Sequence, residues 1–178
     1  ALPIYFLLCL VLQGIFGYLA VKALIGQSND QSSRYFCLVT GLFFIIAPFT
    51  FYRFVQHTAL SSHWVIVCSI YVSLRSRNVS TRSWILANGI AVLLASGINP
   101  YLTIMVLISQ GGITIFDNTL LSIKTRVFRI FIVMFVASLG LCLFGFLSAG
   151  RSIDWGYRYF SMNILGPFDS NGLSTLLG

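Results

Sequence analysis

The sequence predicts an all-α fold, a polytopic transmembrane helical bundle of about six spans. Three observations lead there. Long apolar runs alternate with short polar links. Charged residues make up only 8 % of the chain, against about a quarter in an ordinary water-soluble domain. Mean hydropathy is +0.90. Acids are the scarcest class, with four Asp and no Glu in 178 residues. Such a chain cannot dress a globule of this size in charge, so its solvent is predicted to be lipid.

A span of the hydrocarbon core needs roughly 20 apolar residues at about 1.5 Å each. The runs Leu2–Leu24, Tyr35–Phe54, Thr58–Leu74, Trp84–Ile98, Tyr101–Phe116 and Val127–Ala149 are read as the six spans. Together, residues 1–149 form the transmembrane domain. Residues 150–178 read as an interfacial tail on the outer face, leading into a further C-terminal region. The first run is too long for a cleaved signal peptide and lacks a basic start and a small-residue cleavage site.

Trp84–Phe116 could be a single helix, but its 33 residues would reach about 50 Å, well beyond a core of roughly 30 Å. Two short spans joined at Gly97-Ile-Asn-Pro100 fit better, since Gly and Pro favour turns. In the second of them, Gly111-Gly112 could break the helix. Ala87, Ala91 and Ala95 recur every fourth residue with Asn99 continuing the row, which reads as a close-packing face.

Charge assigns the two faces. Lys22, Arg34, Arg75, Arg77, Arg82, Lys124, Arg126 and Arg129 fall on one side with Asp30 and Asp117. Arg53, Arg151 and Arg158 fall on the other with Asp154 and Asp169. Basic residues in short loops mark the cytoplasmic face, so links 26–34, 75–83 and 117–126 are placed there. Asn78-Val79-Ser80 matches a glycosylation sequon, but on that face it is read as chance. The net charge of +7 is scattered over short links with no basic helix face, which argues against a nucleic-acid partner.

Cys9, Cys37, Cys68 and Cys142 each sit in a different apolar run and read as small buried hydrophobes. His57 and His63 are six residues apart, about 240° around a helix, so they do not share a face as metal ligands at i and i+4 would. No phosphate-binding loop, dinucleotide fingerprint or nucleophile elbow occurs. No span holds a carboxylate, which weakens an ion-coupled transporter reading.

The polar and aromatic residues that call for a reason gather on the outer face. Arg53 ends the second span. His57, His63 and Trp64 bracket the start of the third. Asn99 and Tyr101 form the turn between the fourth and fifth, and Arg151 and Tyr159 follow the sixth. Each has a bland reading as an interfacial anchor or cap. Together they form a candidate donor- or substrate-binding set.

The strings His57-Thr-Ala-Leu-Ser-Ser-His63-Trp64, Asn99-Pro-Tyr-Leu102 and Trp155-Gly-Tyr-Arg-Tyr-Phe-Ser-Met-Asn163, in that order, carry a resemblance. The chain resembles a family of bacterial multi-pass membrane proteins of unassigned function, itself similar to the GT-C glycosyltransferases. Those enzymes take a sugar from a polyprenyl-phosphate donor. The resemblance covers roughly Arg53 to Asn171. It implies residence in the bacterial inner membrane, a polyprenyl-linked sugar donor as partner, and Arg53, His57 and His63 as the first candidates for holding the donor. It also implies a catalytic acid in the first outer loop, with a divalent cation if that loop exists. No outer-face acid precedes Asp154 here, so that acid is expected upstream of Ala1. Asn99 stands where His is expected, and Arg158 where a smaller residue is expected. The alternatives are a non-catalytic membrane subunit of a larger complex and a lipid or solute transporter.

Overall fold

A computed structural model describes residues 2–26, 30–46, 61–116 and 122–146. Among these, six helices follow one another: α1 Leu2–Ile25, α2 Gln31–Ile46, α3 Trp64–Arg75, α4 Thr81–Ile98, α5 Pro100–Phe116 and α6 Ile123–Leu143. The described residues form an all-α membrane bundle. α1, α4 and α6 are long and apolar enough to cross a membrane, whereas α2, α3 and α5 are shorter apolar helices.

α2, α4 and α6 begin earlier than hydropathy suggests because polar caps precede their apolar runs, whereas α3 begins at Trp64, later than the expected Thr58, since His63 is a turn residue whose carbonyl opens the helix. Asp30 accepts a hydrogen bond from Ser33 N at 3.2 Å, so α2 starts at Gln31 rather than Tyr35. Ser80 Oγ accepts from Ser83 N at 3.2 Å, and Ser122 Oγ accepts from Thr125 N at 3.3 Å. Each satisfies one N–H that the first turn leaves without a helical partner. The Ser80 cap lies in the sequon, giving that serine a structural role.

The end of α6 is a Schellman motif. Phe146 N donates to Leu141 O at 2.9 Å, and Gly145 N donates to Cys142 O at 3.0 Å. Gly145 takes φ 81° to close it, a conformation that costs glycine little. The helix therefore stops six residues short of the expected Ala149.

The α4–α5 turn falls where Gly97–Pro100 indicated. Asn99 is extended (φ −165°, ψ 136°), as the residue before a proline prefers. Its N–H donates to Ala95 O at 3.0 Å, closing α4, while its carbonyl accepts from Thr103 N at 3.2 Å, opening α5. Pro100 occupies the first helical position, where its missing N–H costs nothing. Gln110 Nε2 reaches Asn88 O at 3.3 Å. These residues are equally far from the turn, so α4 and α5 form an antiparallel hairpin. Gly111 and Gly112 do not break α5, which runs on to Phe116.

Side-chain bonds fix the other directions. Ser73 and Ser76 bond Asn88, so α3 and α4 are antiparallel and α3 and α5 run the same way. Arg126 Nη1 donates to Ile115 O at 2.8 Å, joining the start of α6 to the end of α5. Tyr5 meets Ser62, and Phe16 packs near Tyr71, which sets α1 parallel to α3. Consequently the links after α1, α3 and α5 share one end. This is the basic end.

Polarity is inverted relative to a water-soluble protein. Phe43, Ile108 and Phe131 are 70 %, 69 % and 66 % exposed, while Asn88 and Gln110 are fully buried. The apolar core of Val65, Trp84, Val92, Ala95, Leu102, Val106, Val133 and Ala137 sits between α3, α4, α5 and α6. Ala91 and Ala95 of the small-residue row are buried. Cys9 and Cys37 are buried as expected, but Cys68 is only half-buried and Cys142 is exposed, because it lies on the outward side of the last turn of α6.

Candidate functional site

The end of the bundle opposite the basic links gathers the described members of the polar set. It is built by the first turns of α1, α3 and α5. Ser61 and Ser62 are buried just before α3. Tyr5 Oη lies 2.6 Å from Ser62 Oγ, and Cys9 Sγ lies 3.8 Å from the same oxygen. His63, half-buried, follows directly. Its carbonyl accepts from Ile66 N at 2.9 Å and so opens α3. Trp64 stacks on Phe16 with centroids 5.9 Å apart and packs against the core. Its ring is thus mainly a packing group.

Asn99 and Tyr101 reach the same end from the α4–α5 turn. Asn99 Oδ1 accepts from Tyr101 N at 2.9 Å, so that oxygen is a cap. The Asn99 amide nitrogen remains the part of the side chain suited to a ligand. Tyr101 is half-buried. The described site residues therefore form two groups at one end: His63 with Trp64, and Asn99 with Tyr101. Arg53, His57, Arg151 and Tyr159 lie outside the described residues. Among the described residues, no three His, Cys, Asp or Glu side chains come together to hold a metal ion. The cation implied by the resemblance finds no ligand set there.

Hydropathy reading missed two internal features. The first is a file of buried polar groups through α3, α4 and α5. Asn88 is its hub: Ser73 Oγ donates to Oδ1 at 2.6 Å, and Nδ2 donates to Ser76 Oγ at 3.1 Å and Trp84 O at 2.9 Å. Ser69 and Ser109 hydroxyls meet at 3.2 Å, and Thr103 Oγ1 donates to Ser96 Oγ at 3.4 Å. In lipid such bonds hold helices together, since apolar surface alone gives little preference for a neighbouring helix over a lipid tail. The second feature is Arg129. It is buried, its guanidinium sits 5.0 Å from the centre of the Trp84 ring, and Nη2 donates to Val79 O at 3.3 Å. Its place inside the sixth apolar run, two residues past Val127, was the available signal.

These features define a class: a helical membrane bundle with a polar hydrogen-bonded interior, one strongly basic end, and an aromatic and imidazole-bearing end opposite. Within that class, the chain belongs to the family described as Domain of unknown function (DUF6311), whose pattern matches residues 2–178. No curated protein and no solved structure matches the chain.

Proposed function

We propose that the chain is an integral membrane protein of the GT-C glycosyltransferase type. On this reading it moves a sugar from a polyprenyl-phosphate donor to an acceptor at the outer face of the bacterial inner membrane, with the basic links 26–34, 75–83 and 117–126 cytoplasmic. The observation that supports it is that His63-Trp64 and Asn99-Tyr101, parts of two of the three strings of the resemblance, lie at the same end of the bundle, opposite the basic links.

The chemistry suits that place. A lipid-linked donor presents its reactive carbon at the membrane surface, next to phosphate. Arg53 and Arg151 are suited to bind the phosphate in a bidentate manner. His57 and His63 can donate a hydrogen bond to it or shuttle a proton. Tyr101 and Tyr159 offer aromatic faces to the sugar.

Donor binding by the full protein, reconstituted in phosphatidylcholine nanodiscs, tests this. A polyprenyl-phosphate-linked hexose should bind saturably. His57→Ala and His63→Ala should each weaken it about ten-fold, the scale of one hydrogen bond to a charged group. If both variants hold the donor as tightly as the parent, the reading fails and a non-catalytic membrane subunit takes its place.

A further inference from the structure

The basic end carries a second chemistry that sugar transfer does not use. Lys22, in the last turn of α1, and Arg34, in the first turn of α2, come from neighbouring antiparallel helices. They line one notch together with Tyr18, Ser33 and Cys37. The Lys22 ammonium stands 5.9 Å from the centre of the Tyr18 ring, which holds it over the notch. Gly26 forms the rim, and no atom of the described residues outside its chain neighbours lies within 4 Å of the place its Cβ would take. The notch sets two cations beside the hydroxyls of Tyr18 and Ser33.

Its surroundings identify the occupant. Leu24, Ile25, Phe36 and Leu38 are exposed on the flanks of the same helix ends. The notch thus sits where apolar surface gives way to charge, the depth at which lipid phosphates lie. Among the described residues the only carboxylate is Asp30, and its Oδ2 accepts from Ser33 N as the cap of α2. Basic notches between spanning helices at a headgroup level are suited to anionic headgroups, each cation near the surface contributing measurably.

We infer that the α1–α2 notch binds the phosphate of an anionic membrane lipid between Lys22 and Arg34. The acyl chains lie along the exposed apolar faces of α1 and α2. This does not rest on the glycosyltransferase reading, because it uses the opposite end of the bundle and only the placement of the helices in lipid.

Native mass spectrometry of the full chain in detergent micelles tests it, with dioleoylphosphatidylglycerol and dioleoylphosphatidylcholine as probes. The phosphatidylglycerol adduct should be the stronger. Lys22→Gln and Arg34→Gln should each weaken it about five-fold, while Lys22→Arg keeps it. Arg82→Gln, which removes an exposed cation elsewhere at the same end, should leave it unchanged. Inorganic phosphate or glycerol phosphate at the same concentration should not displace the lipid. Equal binding of the two lipids would overturn the inference. Equal losses in the Lys22, Arg34 and Arg82 variants would overturn the notch in favour of a diffuse field. Displacement by inorganic phosphate would overturn the lipid as its occupant.

Discussion

Two regions of this bundle join helices by opposite means. Between α3, α4 and α5 the contact is polar: Asn88 ties α4 to Ser73 on α3 and, through its backbone carbonyl, to Gln110 on α5. Between α1 and α2 the contact is close approach. A Cβ on Gly41 would stand 3.0 Å from Gly14 O, and one on Gly17 would stand 2.7 Å from Phe44 Cδ2. Lipid tails compete poorly with either device. A hydrogen bond cannot be replaced by a methylene, and a glycine seam admits no acyl chain. Polar bonds, however, fix direction and register, whereas a glycine seam fixes only distance.

The sharpest way to break the polar region is Asn88→Ala. It removes the bonds to Ser73 and Ser76 and takes from the buried Ser73 hydroxyl its acceptor, while Ser76 keeps its bond to Val72 O. We expect a loss of about 2–3 kcal/mol, more than the roughly 0.6 kcal/mol average for a single interhelical bond in lipid. Unfolding of the full chain in mixed detergent and dodecyl sulfate, followed by tryptophan fluorescence, would measure it. A loss under about 0.5 kcal/mol would show that apolar packing alone holds these helices.

A smaller effect separates two kinds of glycine. At Gly140 an added Cβ would meet Ser96 Cβ at 2.9 Å and Leu93 Cδ2 at 3.2 Å. Ser96 Cβ is fixed to the α4 backbone, so Gly140→Ala must move α6 and should cost about 1–3 kcal/mol. At Gly14 the nearest atoms are Ile45 Cδ1 at 2.5 Å and Cγ1 at 2.8 Å, both on one side chain that can change rotamer. Gly14→Ala should therefore cost about 0.5 kcal/mol. The same unfolding assay ranks them, and the reverse order would contradict the distinction.

The contrast between regions also explains what could be read from the residues alone. The count and order of helices, and the turn at Asn99-Pro100, follow from apolar runs and one proline. Helix starts at Gln31, Thr81 and Ile123 do not, because Asp30, Ser80 and Ser122 are polar and fall outside any apolar window. The interior escaped for a related reason. Ser73, Asn88 and Gln110 are isolated polar residues in apolar runs, and summed hydropathy hides them. Only pairing across helices shows that they meet. At the candidate site, His63, Trp64, Asn99 and Tyr101 could be assigned to one end from topology. That Asn99 Oδ1 serves Tyr101 N as a cap needed the backbone geometry. Arg129 belongs with the cations that mark the basic face, but its side chain turns inward onto Trp84.

The central claim is that α4 and α5 cross the membrane as a hairpin, so that the links after α3 and α5 share a side. Single cysteines in a background lacking Cys9, Cys37, Cys68 and Cys142 test it most directly. Sealed vesicles of known orientation would be treated with a membrane-impermeant maleimide. Ser80→Cys and Ser122→Cys should label from one side, and Pro3→Cys and Pro100→Cys from the other. Labelling of Ser80→Cys and Ser122→Cys from opposite sides would contradict the hairpin, and with it the assignment of both ends of the bundle.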